Sequence, residues 1–304
     1  MIYKIGLILV LAINSFFPGY HLAEHYNHKI NGTATAQVST TQQKVATSWE
    51  TDISAEPTKE ANGIFTPSGS ASLSMDEETG TILASANKNA QVPIASLTKL
   101  MTAYLTLKEQ NLNSIVTVPA LNIPTGYSVV GLKQGEKLSI LSLLKGLLIN
   151  SGADAAQTLA IDASGSEQGF VVKMNQAASS LGLKNTKYSN PIGIDDPNNY
   201  SSATDLASLT RVLLLNKVFR DIVQTKSATI YTTDGTALPL LNTNQLLGNG
   251  IIGVKTGNTT DAGGCLIALY QSGNHQILTV LLGSSDRFGQ TAQYLSWINS
   301  SFSW

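Results

Sequence analysis

The chain has 304 residues, 42% hydrophobic and 13% charged, with 19 Lys+Arg against 20 Asp+Glu. That length and apolar content support a real core and exclude a wholly disordered chain. A net charge of −1 gives no electrostatic footprint for nucleic acid. The single cysteine, Cys265, excludes a disulfide framework, a multi-cysteine zinc site and a lipid-modified cysteine near the N-terminus.

Met1–Lys4 carries one positive charge, and Ile5–Ile13 follows without a polar residue. This has the length of a signal-peptide core and falls short of the ~20 residues that span a bilayer. Residues 1–29 are therefore expected to be a signal peptide or an uncleaved N-terminal anchor, which puts the remainder outside the cytoplasm, secreted or attached to the outer face of the membrane. Ala34-Thr35-Ala36, the small-x-small candidate, lies far from the apolar run, so cleavage stays open. Residues 30–62 are rich in Thr, Ala, Gln, Ser and Glu, have no apolar period, and read as a flexible linker. His21-Leu22-Ala23-Glu24-His25 fits the H-x-x-E-H zinc pattern. It lacks the packed helix such ligands need, so no metal is expected.

The globular domain is expected over 63–304. Ala71–Met75 and Thr81–Ser85 flank Asp76–Gly80 as a β-hairpin. Helices are predicted over Leu97–Gln110, Ile140–Asn150, Gln168–Leu181 (ended by Gly182) and Leu206–Leu215, the last capped by Thr204 or Asp205. Strands follow at Gly250–Val254, Cys265–Tyr270 and Gln276–Leu282, with the turn Gln271-Ser272-Gly273-Asn274 joining the last two. Phe288–Phe302 closes as a helix. This order predicts an α+β fold: one antiparallel sheet made from both ends of the domain, flanked by helices, with a helical subdomain inserted. The chain shows no βαβ alternation and no G-x-G-x-x-G or G-x-x-x-x-G-K-[ST] spacing, which argues against a Rossmann or TIM-barrel fold.

Histidine is scarce, since only His275 lies beyond residue 30. A serine nucleophile would need another base, and lysine serves when its pKa falls. S-x-x-K occurs at Ser85/Lys88, Ser96/Lys99 and Ser142/Lys145. With 31 Ser and 16 Lys, chance alone supplies about 1.6 such matches, so context decides. Ser85 precedes a polar loop that enforces no geometry. Ser142 sits among leucines of a helix, where serine bonds back to its own turn. Ser96 follows Pro93 and opens a helix, so Lys99 shares its face one turn on, beside free N–H groups suited to a developing anion. A simple N-cap remains the alternative for Ser96.

Lys255-Thr256-Gly257 is the only K-T-G, against about 0.1 expected by chance. It puts a cation at the end of a short apolar strand, suited to a carboxylate, with a glycine that permits close approach to the backbone. A solvated strand-end lysine is the plain alternative. Ser151 falls at a helix break, where a cap is equally expected. Cys265 reads as a buried strand cysteine.

Ser96/Lys99, then Ser151, then Lys255-Thr256-Gly257 resembles the penicillin-recognising serine enzymes, and among them the low-molecular-mass D-alanyl-D-alanine carboxypeptidases. Pro93–Thr102, Tyr188–Asp196, Tyr200–Ala207, Asn242–Asn244 and Gly253–Thr259 are similar to further segments of that family. The resemblance covers roughly residues 65–300 and implies a β-lactamase/transpeptidase-like fold and removal of the terminal D-alanine from peptidoglycan stem peptides. It implies Ser96 as nucleophile, Lys99 as base and Ser151 as proton relay. Lys255, Thr256, Gly257 and Asn258 would bind substrate, with the N–H groups of Ser96 and Asn258 as oxyanion hole. β-Lactam antibiotics would acylate Ser96, and no cofactor is implied. The family's second motif usually reads Ser-x-Asn, whereas position 153 is Ala, which takes an amide from the site. The family's C-terminal β domain and amphipathic tail are not expected after Trp304. A D,D-endopeptidase or transpeptidase, a β-lactamase, and a non-catalytic cell-wall-peptide-binding protein remain as alternatives. The candidate deacylating Glu167 reads more simply as a helix start.

Overall fold

The structure, a computed structural model, describes residues 57–60 and 63–304. The export segment, the His21–His25 pattern and the linker up to residue 56 lie outside the described residues. A five-stranded antiparallel sheet carries the fold. It takes β2 (Ala71–Asp76) and β3 (Ile82–Ala86) from the start of the domain and β10 (Ile251–Thr259), β11 (Gly263–Ser272) and β12 (His275–Ser284) from its end, in the order β10-β11-β12-β2-β3. The sheet thus joins both ends of the domain, as the order of elements predicted. All six residues of β2 are buried, which alternation requires when both faces are covered. On one face α7 (Arg287–Ser301) sets Tyr294, Leu295 and Ile298 against Leu83, Leu266, Ala268 and Ile277. Helix α5 (Ala203–Leu214) packs on β2 and β12.

Between the two halves of the sheet lies the helical insert: α1 (Lys99–Glu109), α2 (Ile140–Ile149), α3 (Ala153–Ser164) and α4 (Glu167–Ser180). Helix α2 has only ten residues and would be marginal alone. Its buried Leu143, Leu144, Leu147 and Leu148, each worth roughly 1.5–3 kcal/mol, make it stable in place. Short pieces complete the chain: β4 (Val92–Pro93) with β7 (Tyr200–Ser201), β5 (Ile115–Thr117) with β6 (Lys137–Ser139), α6 (Lys217–Val223), and the hairpin β8 (Ser227–Tyr231) and β9 (Ala237–Leu241). A small outer pair joins β1 (Thr58–Lys59) to β13 (Phe302–Ser303), so these two residues of the expected 30–62 linker are strand, held by backbone pairing to the end of the chain.

Three local expectations change. The cap of α5 is Ser202, whose Oγ accepts from Asp205 N; Thr204 and Asp205 already lie inside the helix. The first turn of the Leu97 helix is a 3-10 turn, Ala95–Thr98, continuous with α1. Lys255 stands in the middle of β10, because the strand does not stop at Val254 but runs on to Thr259.

Candidate active site

Ser96 sits in the 3-10 turn that leads into α1, and side chains three apart eclipse in that geometry. Lys99 Nζ accordingly donates to Ser96 Oγ at 2.9 Å. Its second bond goes to the carbonyl of Ile192 at 2.6 Å. That carbonyl is presented by a loop wound around Asn190, whose Oδ1 accepts from the N–H groups of Ile192, Gly193 and Ile194. Thr102 Oγ1 donates to Pro191 O and Asn199 Nδ2 to Thr98 Oγ1, so the loop is bolted to the nucleophile helix at two further points. Gly193 is obligatory, because a Cβ there would lie 2.1 Å from the Ala95 carbonyl oxygen.

Lys99 is 1% exposed, and burial lowers its pKa to about 7, against a smaller opposing pull from the Asp154 carboxylate. Burial therefore suffices to make it a base near neutrality. Lys255 is itself lowered well below its ordinary value, first by burial and then by repulsion from Lys99 and Arg287. Its ammonium, 1% exposed, donates to Ser151 Oγ at 2.8 Å and to Thr256 O at 2.9 Å. Ser151 occupies the break between α2 and α3 with φ +58°, and Ala95, next to the nucleophile, has φ +47°. Such strained residues cost of order 1–3 kcal/mol each and persist only where the surroundings over-determine them.

Ser96 and Ser151 open together on a cleft of about 450 Å³. One wall is β10 from Thr256 to Thr259, with Thr260 beyond it; Thr125–Ser128, Asp195, Thr243 and Arg287 complete the lining. Gly257 lets β10 pass close to the nucleophile: a Cβ there would stand 3.2 Å from Ser96 N. Thr256 Oγ1 shares a 2.6 Å hydrogen bond with Thr243 Oγ1. The structure thus brings all seven expected residues together, but Lys255 lies beneath the lining. The cation at the surface is Arg287, whose Nη1 donates to Asn258 Oδ1 at 3.2 Å. Two serine hydroxyls, each held by a buried lysine, can supply a nucleophile and a proton relay around one bound carbonyl.

The family model described as D-alanyl-D-alanine carboxypeptidase matches residues 56–286. The chain belongs to this family. The D-alanyl-D-alanine carboxypeptidase DacF of Bacillus subtilis is 34% identical over 75% of this chain and 61% of its own length. DacC of Escherichia coli is 33% identical over 81% of this chain and 64% of its own. The chain thus spans somewhat under two thirds of these relatives. Among solved structures, the Streptomyces K15 DD-transpeptidase superposes with a TM-score of 0.72 at 29% identity, covering 79% of this chain and all of that one. A penicillin-binding protein homologue from Mycobacterium tuberculosis gives a TM-score of 0.73 at 30% identity over 78% of this chain and 93% of the other. The fold is that of the penicillin-binding carboxypeptidases and transpeptidases, α+β as expected.

Within this family fold, Ala153 has no exposed surface, and its N–H donates to Ser128 O at 2.8 Å. Lys99 is held by Ile192 O, without a side-chain amide at 153. Asp154, one residue on, receives the N–H groups of Val130, Gly131 and Leu132 and so fixes the Thr125–Ser128 wall from behind. The other serine–lysine matches stay apart from the cleft. Ser142 is engaged with the α2 cap, Ser139, and Ser85 lies on edge strand β3. Glu167 is the first residue of α4, accepts from Gln157 and does not line the cleft. Cys265 is fully buried in β11, and burial pushes its thiol up to about 11. His275 lies beside Asp76 and Trp304, outside the cleft lining. Sequence reasoning missed Arg287, Asn190, Ile192 and Asp195. Asn190 and Asp195 stood inside a segment already recognised as family-like; Arg287 carried no motif.

Proposed function

We propose that this chain is a serine-type D-alanyl-D-alanine carboxypeptidase acting on peptidoglycan stem peptides. The observation that carries the reading is a buried Lys99 with a pKa of about 7, hydrogen-bonded to Ser96 at the floor of an open cleft. Neutral Lys99 takes the Ser96 proton as Oγ attacks the carbonyl between the two D-alanines. The N–H groups of Ser96 and Asn258 receive the oxyanion, and each such donor is worth about 10²–10³ in rate. Ser151, backed by Lys255, passes a proton to the departing D-alanine nitrogen, and water then releases the shortened peptide from Ser96.

The terminal carboxylate of the substrate is held by the Thr256 hydroxyl and Arg287, with Lys255 adding positive potential from beneath. Penicillins carry a carboxylate and a strained amide at the same separation and acylate Ser96. The reaction belongs outside the cytoplasm, where the apolar run at 5–13 would deliver the chain. Among the described residues no helix is long and apolar enough to cross a membrane.

Intact-protein mass after brief exposure to benzylpenicillin tests the reading, with Ser96→Ala as control. A one-to-one adduct that requires Ser96 and decays over hours, together with D-alanine release from a model pentapeptide, is expected. An adduct lost within seconds while drug is consumed would indicate a β-lactamase. No adduct at any concentration would leave a peptide-binding protein. The structural likeness to a DD-transpeptidase gives one further arm: an added amino-acid acceptor that captures the acyl group would turn hydrolysis into transfer.

A further inference from the structure

We infer that Asn190 is a positioning residue for the base: it holds the Ile192 carbonyl where that oxygen keeps the lone pair of neutral Lys99 turned to the Ser96 hydroxyl. The inference rests on the peptidase reading and adds to it a residue that touches neither the substrate nor the reacting atoms.

A neutral amine has two protons and one lone pair, and it acts as a base only when the lone pair faces the proton to be taken. The end of a lysine side chain rotates freely, so a neighbour has to set its orientation. Among the described residues Lys99 Nζ has two hydrogen-bond partners, Ser96 Oγ at 2.9 Å and Ile192 O at 2.6 Å. A hydroxyl can donate or accept, whereas a carbonyl oxygen can only accept. Ile192 O therefore always takes one N–H of Lys99. Ser96, which has a proton to give, then selects the lone pair from the two positions left. As Ser96 Oγ bonds to the substrate carbonyl carbon, its proton passes to Nζ, and the resulting ammonium donates to both oxygens. Position 153 is alanine, so no amide there shares this task and it falls to Ile192 O.

A backbone oxygen can be aimed only through its own peptide unit. Ile192 O and the Gly193 N–H belong to one such planar unit and point to opposite sides of it. The Gly193 N–H donates to Asn190 Oδ1 at 2.6 Å, and Lys99 meets the oxygen on the other side. Asn190 thus grips the unit that orients the base, and a bond to the N–H also strengthens the oxygen as an acceptor. The same Oδ1 accepts from Ile192 N at 3.2 Å and Ile194 N at 3.0 Å, while Nδ2 donates to Ile194 O at 3.1 Å and to Ser189 Oγ at 3.2 Å. Asn190 and Ile192 are not among the residues that line the cleft. A change at Asn190 therefore reaches the chemistry through Lys99 and leaves the binding surface in place.

The test follows acylation by benzylpenicillin over a range of drug concentrations, which separates the maximal rate from the half-saturating concentration. In Asn190→Ala the maximal rate is expected to fall about tenfold or more, with the half-saturating concentration within about threefold of wild type, because small misplacements of a reacting group are costly in rate. Damage to the shape of the cleft would raise the half-saturating concentration instead. Asn190→Asp keeps an oxygen for the three N–H groups and should recover part of the rate. Its negative charge, one peptide unit away from Lys99, should also move the pH midpoint of acylation upward. Asp154 and Lys255, the charged groups that interact with Lys99, are unchanged in both variants. A maximal rate within about twofold of wild type in Asn190→Ala would overturn the inference, as would a loss carried wholly by the half-saturating concentration. If Asn190→Ala does not fold, Asn190→Asp decides alone, and an unshifted midpoint overturns it. Failure of wild type to form any penicillin adduct on Ser96 is a different result: it removes the peptidase reading, and this inference with it.

Discussion

Two serine–lysine pairs face the same cleft, at 2.9 Å for Ser96 and Lys99 and 2.8 Å for Ser151 and Lys255, yet they are built in opposite ways. The first is local: three residues and one turn of helix bring its members together. The second joins positions 104 apart and exists only because the sheet holds β10 against the break between α2 and α3. A helix turn is cheap to form and easy to reproduce by chance, which is why Ser85 and Ser142 imitate it in sequence. The distant pair is hard to imitate. What separates a working S-x-x-K from its copies is burial of the lysine, and burial is a property of the whole fold.

Breaking the local pair should have the largest effect. Lys99→Met is expected to lower the acylation rate by about 10³–10⁴, read from penicillin-adduct formation. The same variant should unfold at a higher temperature than wild type. A lysine moved from 10.5 to about 7 represents about 5 kcal/mol of disfavoured charge that methionine does not carry. A variant that loses both activity and stability would mean that Lys99 is a structural anchor first.

Breaking the distant pair should cost less in rate and act differently on stability. Ser151→Ala removes one of the two recorded partners of a fully buried ammonium, so both acylation, by about 10², and stability, by about 1–3 kcal/mol, should fall. Opposite signs of the melting shift in Lys99→Met and Ser151→Ala are the sharpest expression of the contrast. Equal signs would dissolve it.

The pH dependence sharpens the same contrast without mutation. Acylation should rise with pH through a midpoint near 7 as Lys99 loses its proton. For stability, the unfolded chain holds that proton up to about 10.5 while the folded one releases it near 7, so the unfolded state binds more protons between these values. The contribution of Lys99 to stability therefore increases from pH 7 towards 10, and the increase should be smaller in Lys99→Met. An acylation profile flat between pH 6 and 8 would remove Lys99 as the base.

The smallest effect is expected from Ala153→Asn. Position 153 is fully enclosed and Lys99 already has Ile192 O, so the added amide should change kcat/KM less than tenfold while overpacking costs about 1–3 kcal/mol in a thermal melt. A gain of a hundredfold would show that the missing amide limits turnover.

These contrasts also mark what sequence could reveal. The sheet strands, α1, α2 and α4 were legible because apolar period and punctuation are local properties. Helix α3 was not, since all of Ala153–Ala160 is buried, with Asp154, Gln157 and Thr158 among four alanines and Leu159, so no apolar stripe marks one face. The β8–β9 hairpin carried a turn signal in Asp234-Gly235 that went unread. In the site, the serines and lysines were legible through spacing. The Ile192 carbonyl was not, because a backbone oxygen has no residue type, and Arg287 reaches the cleft only after the whole of β11 and β12 has folded back.

The pairing of β2 with β12 carries a consequence for how the molecule comes into being. Ser74 and Thr279, hydrogen-bonded on neighbouring strands, are 205 positions apart. The first hairpin emerges early in synthesis or export and has no neighbour until the last thirty or so residues appear. Long-range pairing of this kind slows folding. Until β12 arrives, β2 exposes an apolar edge to any passing strand. Over that interval the unpaired edge of β2 is the place where a wrong strand pairing would start.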